Sequence, residues 1–99
     1  MLLHELAHAR TGDKGNLVTI SLIAFHASDY ARLEEAVTAE RVTAHFHELI
    51  DGPVDRYTLP QLAALNFVLR RPDANTVTRS LLLDAHGKCL GSALLHMEI

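Results

Sequence analysis

The sequence has one cysteine, Cys89, no tryptophan and only three prolines among its 99 residues. A single cysteine cannot form a disulfide within the chain, and this cysteine usage is typical of a reducing compartment. The longest apolar run, Leu17 to Phe25, is interrupted by Thr19 and Ser21 and is too short to cross a bilayer. The first residues also lack the basic segment and the continuous apolar stretch of a secretion signal. These absences predict a cytoplasmic protein with no membrane-spanning segment.

The chain also lacks an excess of basic residues. Nine lysines and arginines stand against twelve acidic residues, which gives a net charge of −3. A protein that neutralises nucleic-acid phosphates normally carries a basic excess, so nucleic-acid binding is not expected. Apolar residues make up 48% of the sequence, enough for one core in a chain of this length. We therefore expect residues 1–99 to form one domain.

Alternating apolar residues predict two strands at the start of the chain, Leu2–Arg10 and Leu17–Phe25. The glycine-rich segment Thr11–Asn16 between them is typical of a turn. These two strands are expected to pair antiparallel around a six-residue loop.

Helical spacing follows, with Ser28 or Asp29 as the first N-cap and Thr38 as a second one. The pattern predicts one helix broken near Thr38, or two short ones, ending at Gly52-Pro53. The later predictions are a strand over Val54–Leu59, a helix over Gln61–Leu69, a polar loop over Arg70–Thr76 and a closing hairpin of Arg79–Asp84 with Gly91–Ile99. For Gln61–Leu69 the spacing of Leu65, Phe67 and Leu69 also suits a strand. Helices interleaved with strands predict a two-layer α+β sandwich, with a mainly antiparallel sheet and helices on one face.

The segment His4-Glu5-Leu6-Ala7-His8 matches the H-E-x-x-H pattern of zinc peptidases. In those enzymes the two histidines share one face of a helix and bind Zn²⁺, while the glutamate activates water. Here the match begins at residue 4, and Thr11 and Lys14 stand where the extended motif has glycine and histidine. The strand pattern accounts for the same residues. We therefore predict no metal site and no cofactor.

The loop around Asp13 concentrates glycines and cations. Gly12 and Gly15 allow the backbone to turn its N–H groups into one concavity, and Arg10 and Lys14 can add charge-assisted contacts to a carboxylate or phosphate. The spacing is not that of a Walker A loop. The alternative is an ordinary hairpin turn, with Asp13 bonded to its own backbone and Lys14 in solvent.

The run Leu6-Ala7-His8-Ala9-Arg10-Thr11-Gly12-Asp13-Lys14-Gly15-Asn16 resembles the L-A-H-A-R-S-G-D-K-G signature of the AtuA-like ferredoxin-fold domain, named for the acyclic terpene utilisation protein AtuA. The resemblance continues through Thr38–Val42, Arg56-Tyr57, Leu59-Pro60, Ala64–Leu69, Ser80-Leu81, Asp84 and Gly87-Lys88. These segments follow one another along nearly the whole chain. His4 and Glu5 lie outside the pattern, and Arg71–Asn75 replaces a glycine-rich run that is frequent in the family.

The resemblance implies a ferredoxin-like fold and an association with the breakdown of acyclic terpenoid or branched acyl-CoA-type acids. In that family the domain usually follows a much larger domain, and it also occurs as a separate short protein, which is the form expected here. The polar and glycine positions that match the family, together with the adjoining Asn16, form the candidate ligand site: His8, Arg10, Gly12, Asp13, Lys14, Gly15, Asn16, Asn66 and Arg79.

Three functions are compatible with these residues. In the first, the chain is a non-catalytic small subunit that joins a large AtuA-like subunit and shares an anion site for a CoA thioester or carboxylate. In the second, it is a small enzyme with His8 as general base and Arg10 and Lys14 holding an acidic substrate. In the third, it is a homo-oligomeric structural module that associates through sheet edges.

Overall fold

The computed structural model describes residues 1–14, 16–70 and 87–99, except for the side chains of Lys14 and of residues 87–89. Its four strands are β1 (Ala7–Lys14), β2 (Leu17–Ala24), β3 (Asp55–Leu59) and β4 (Ala64–Arg70). They form one sheet in the order β1-β2-β4-β3, and every neighbouring pair is antiparallel.

Three α-helices belong to the described part of the chain: α1 (Tyr30–Ala36), α2 (Ala39–His45) and α3 (Gly87–Leu95). Short 3₁₀ turns precede β1, α1 and β4, at Leu3–Glu5, Ala27–Asp29 and Pro60–Leu62. Buried side chains from all three helices join one hydrophobic cluster with alternate residues of the sheet. The helices therefore cover one face of the sheet, and the opposite face, called the open face below, has none of them against it.

The strand order defines the fold. From β2 the chain passes through α1 and α2 to β3, and β4 then returns between β2 and β3 before α3 follows. The first strand, β1, completes the sheet beside β2. This is the β-α-β-β-α-β arrangement of a ferredoxin-like fold, with its last strand placed at the start of the chain. The predicted fold class, α+β with an antiparallel sheet and helices on one face, is confirmed.

The core follows from the alternation of side chains along the two central strands. Val18, Ile20 and Leu22 of β2 lie opposite Leu69, Phe67 and Leu65 of β4, and all six are at most 2% exposed. Leu33 of α1, Val42 of α2 and Leu94 of α3 are fully buried against the same face.

The helical region was predicted correctly at its start and break. α1 begins after Asp29, although the Asp29 side chain makes no capping hydrogen bond, and Thr38 Oγ1 accepts the Arg41 N–H at 3.2 Å to cap α2. The segment is thus two short helices. Its predicted end at Gly52-Pro53 is wrong, because α2 ends at His45 and turns follow.

The prediction of a helix over Gln61–Leu69 is wrong. Pro60–Leu62 forms a 3₁₀ turn, Ala63 takes a left-handed conformation, and Ala64–Arg70 is the central strand β4. The strand alternative, which the alternation of Leu65, Phe67 and Leu69 also suited, is correct, because β4 has hydrogen-bonding partners on both sides.

The prediction of a strand over Gly91–Ile99 is also wrong, since this region belongs to helix α3 and the turn after it. Leu90, Leu94 and Met97 are buried at spacings of four and three residues, which places them on one helical face. The predicted partner strand Arg79–Asp84, the residues of the predicted loop after Arg70 and the Arg71–Asn75 segment lie outside the described residues.

Two arginines hold the corner between α1, α2 and the sheet. Arg56 Nη1 of β3 donates to the carbonyls of Glu34 (2.7 Å) and Val37 (3.0 Å) at the end of α1. Arg41 Nη1 donates to the Ala36 carbonyl at 3.0 Å. These bonds satisfy carbonyls that the helix end leaves without intrahelical partners, and the positive charge suits a helix C-terminus.

Replacing Arg56 with leucine is expected to lower the free energy of unfolding by about 1–3 kcal/mol, because two helix-terminal carbonyls lose a charged donor. Urea unfolding followed by circular dichroism measures the change. The matched control is Arg32→Leu on the exposed surface of α1, which should change stability by less than about 0.5 kcal/mol. Equal effects of the two substitutions would contradict the capping role of Arg56.

Tyr30 at the start of α1 provides a pH probe of the same corner. Burial raises the pKa of the Tyr30 phenol above its ordinary value of 10.0, the charge of Glu34 and its hydrogen bond at 3.2 Å raise it further, and Arg56 opposes the shift. Above pH 10 the unfolded chain loses this proton first, so the free energy of unfolding should fall as pH rises.

The chain has two tyrosines, so a Tyr57→Phe variant leaves Tyr30 as the sole source of tyrosinate absorbance. We expect the absorbance midpoint of the folded variant to lie above the midpoint of the same variant in urea. A folded midpoint at or below the unfolded one would show that the burial and the Glu34 contact do not act on this phenol.

Candidate functional site

The hairpin of β1 and β2 differs from the predicted one at both ends. β1 begins at Ala7, since Leu3–Glu5 is a 3₁₀ turn, so the prediction of a strand from Leu2 is wrong. β1 then continues to Lys14, which pairs with Leu17. Only Gly15 and Asn16 connect the two strands, and the predicted six-residue loop is wrong. Because residues 11–14 pair with residues 17–20 of β2, strand β1 continues through the glycine-rich segment.

The strand geometry separates the predicted loop residues onto two faces. Ala7 lies opposite buried Ala24, which puts Ala7, Ala9, Thr11 and Asp13 toward the helices. His8, Arg10 and Gly12 therefore lie on the open face, together with the register position of Lys14. The backbone concavity inferred from the glycines is not formed by residues 11–14, and Asp13 lies on the opposite face from Arg10.

Gly12 is explained by close packing rather than by an unusual backbone conformation. Among the described glycines only Gly52 has a positive φ. A Cβ atom at Gly12 would lie 2.7 Å from Thr19 Oγ1, its cross-strand neighbour, which is closer than van der Waals contact permits. The sequence could not show this because the close approach depends on the register.

A polar row crosses the open face. The register places Arg10 of β1, Ser21 of β2, Asn66 of β4 and Tyr57 of β3 side by side. Ser21 Oγ donates to Asn66 Oδ1 at 3.2 Å in the middle of the row. With strands about 4.8 Å apart, the row spans about 14 Å. The structure thus brings two predicted site residues, Arg10 and Asn66, into one row, and it adds Ser21 and Tyr57, which sequence reasoning missed.

An apolar end lies beside the polar row. The next row contains His8, Ile23, Ala64 and Leu59, and the His8 ring stacks on Phe25 with centroids 5.5 Å apart and planes 22° apart. Phe25, Leu59 and Leu62 are 54%, 40% and 67% exposed. Polar donors and exposed apolar groups therefore adjoin on the same surface.

The H-E-x-x-H segment does not form the geometry of a zinc peptidase. His4 and Glu5 lie in the 3₁₀ turn, whereas His8 is a β1 residue. The His4 ring meets His96 edge-on with centroids 6.2 Å apart, while His8 stacks on Phe25. The two imidazoles therefore have different neighbours, and the residues are not arranged on one helical face.

The described residues lack two further features, a metal-binding cluster and a membrane-spanning helix. Within residues 1–14, 16–70 and 87–99, no three histidine, cysteine or acidic residues are grouped so as to hold a metal ion. None of the helices in this part of the chain is long and apolar enough to cross a membrane. The candidate residues Gly15 and Arg79 lie outside the described residues, and Asn16 is an exposed residue of the hairpin turn.

The antiparallel sheet, with all three described helices against one of its faces, defines a ferredoxin-like domain. The family model described as the AtuA ferredoxin-like domain matches residues 1–99, which is the whole chain, and the chain belongs to that family. Comparison with curated proteins and with solved structures finds no match. The family resemblance predicted from the sequence is confirmed.

A Gly12→Ala substitution tests the packing role of this glycine. Alanine suits a strand better than glycine, so a purely conformational view predicts a gain in stability. We expect a loss of about 1 kcal/mol or more in thermal or urea unfolding, because the methyl group meets Thr19 Oγ1. Adding Thr19→Ala should restore most of this loss, and additive effects of the two substitutions would contradict the contact.

Proposed function

We propose that the chain is a non-catalytic accessory module that binds a large AtuA-family subunit through the open face of its sheet. The pair would act in the catabolism of acyclic terpenoid or branched acyl-CoA-type acids, as the family relationship suggests. The module supplies a binding surface, and the larger subunit supplies the reaction.

The distribution of exposed apolar side chains carries this proposal. Six large hydrophobic residues are exposed in the described part of the chain, and five of them belong to the open face or its rim: Leu17, Phe25, Tyr57, Leu59 and Leu62. A concentration of apolar groups rimmed by polar ones is typical of a protein interaction surface. Within the described part of the chain, the large exposed hydrophobic side chains are thus concentrated on the open face and its rim.

The arrangement of His8 supports binding better than catalysis. Its ring is half-buried and stacks on Phe25, and within the described residues no carboxylate or hydroxyl group is hydrogen-bonded to it. A general base normally has a group that orients its ring, as in the serine-protease triad. The enzyme hypothesis would regain support if a His8→Ala variant lost a demonstrated turnover while keeping its fold.

The direct test is the affinity of the purified chain for a purified large AtuA-family subunit, measured by calorimetry. We expect a complex between the two proteins, and Phe25→Ala combined with Leu62→Ser should weaken it by about thirtyfold, because two large apolar contacts are lost. Both side chains are more than half exposed, so thermal unfolding should change little. The matched control, Ala31→Ser on the exposed surface of α1, should bind normally.

Other results would redirect the assignment. A native mass equal to a homo-oligomer, with no affinity for the large subunit, would support the structural-module alternative. Turnover of an acyl substrate by the isolated chain would contradict an accessory role.

A further inference from the structure

Charge is divided unequally between the two layers of the molecule. Ten acidic residues lie in the described part of the chain, and Asp55 is the one that occupies a strand position on the open face. Of the five described arginines, Arg10 and Arg70 are on the open face, while Arg32, Arg41 and Arg56 are elsewhere. The open face is therefore weakly cationic, although the chain as a whole is anionic and the rest of the described surface carries nine carboxylates against three arginines.

Among the described side chains of the open face, Arg10 carries the positive charge that no ion pair neutralises. Arg70 Nη1 forms an ion pair with Asp55 at 3.3 Å, and both side chains are about half exposed. Arg10 is exposed and has no hydrogen bond or ion pair with the residues described in the structure. Its guanidinium group therefore has all five N–H donors available to a partner.

The neighbours of Arg10 in the polar row add further donors. The Asn66 carbonyl oxygen already accepts from Ser21, which leaves the Asn66 amide NH₂ to donate. Tyr57 at the far end of the row is 55% exposed and has a hydroxyl group that can donate. The guanidinium group at one end of the row matches the two acceptor oxygens of a carboxylate, which arginine binds with two parallel hydrogen bonds, while Asn66 and Tyr57 can donate to other acceptors of the same partner.

We propose that Arg10, at one end of the polar row, binds the carboxylate of an aspartate or glutamate on an acidic surface of the large subunit that also has apolar groups. This inference rests on the proposed function and names the chemistry that the partner must present. Arg10 is exposed, so an isolated small anion would gain little from it in water, whereas a partner surface that excludes water strengthens the interaction.

The charges of the two layers disfavour two other partners, a second copy of this chain and a nucleic acid. A second copy placed face to face would bring together two surfaces whose described side chains both carry a net positive charge. A nucleic acid would meet one arginine without an ion pair among the described side chains of this face, on a chain whose net charge is −3. The acidic helical layer would likewise repel an acidic partner, so the charge division directs such a partner to the open face and sets its orientation.

The experiment compares the affinity of Arg10 variants for the purified large AtuA-family subunit at several salt concentrations. Arg10→Glu should weaken binding by about a hundredfold, and Arg10→Lys by less, because lysine keeps the charge and loses the two-pronged geometry. The control Arg32→Glu makes the same charge change on α1 and should alter the affinity less than threefold. Raising the salt concentration should weaken the wild-type complex more than the Arg10→Glu complex.

The outcomes separate this inference from the proposed function. If the Phe25 and Leu62 variant loses binding while Arg10→Glu binds normally, the carboxylate contact is wrong and the accessory role stands. If an acyl-CoA or a free carboxylic acid binds the isolated chain and Arg10→Glu abolishes that binding, the anion is a ligand and the inference is overturned. Binding of RNA that depends on Arg10 would overturn it equally. If the wild-type chain does not bind the large subunit, the proposed function itself fails.

Discussion

The structure depends on the packing between β2 and β4, the two central strands. Ile20 and Phe67 lie directly opposite each other, and both are completely buried. Each central strand has partners on both sides, so its backbone hydrogen bonds are satisfied and its register fixes the whole sheet. A slip of one residue would move the buried side chains to the open face. The core and the composition of the open face are therefore set by the same alternation.

The sequence pattern alone predicted an element correctly where its periodicity and its length indicated the same secondary structure. Leu17–Phe25 is apolar and β-branched on alternate positions, and β2 occupies nearly the same residues. Gln61–Leu69 satisfied both periods, and only the positions of β2 and β3 on either side decide for a strand. Gly91–Ile99 was assigned to a closing hairpin, whereas its first residues belong to helix α3. A Cβ atom built at Gly91 would lie 2.8 Å from Thr11 Oγ1, so the absence of a side chain at Gly91 allows α3 to lie close to β1. No local pattern contains that distance.

The candidate site shows the same limit. Arg10 and Asn66 are separated by 56 positions in the sequence, and their matches to the family pattern indicated both without indicating that they share a row. Ser21 lies outside the segments that match the family pattern, and Tyr57, although within one of them, was not selected because a tyrosine on a strand is ordinary. The rows arise only from the cross-strand register. What sequence reasoning lacked was therefore the pairing of distant strands rather than the chemistry of individual residues.

The placement of the three described helices on one face of the sheet connects the fold to the proposed role. A chain of 99 residues can bury one core, and here all three described helices are used on one face to do so. In the proposed role, the other face has to satisfy two opposing requirements, which are solubility when free and complementarity when bound. Placing Arg10 and the Ser21–Asn66 pair next to Phe25 and Leu59 meets both, because the polar row is hydrated when the face is bare and offers directional bonds when it is covered. The acidic charge on the helical layer then favours one of the two faces for an acidic partner. The division of charge and apolar area between the layers is thus the physical basis of the proposed binding surface.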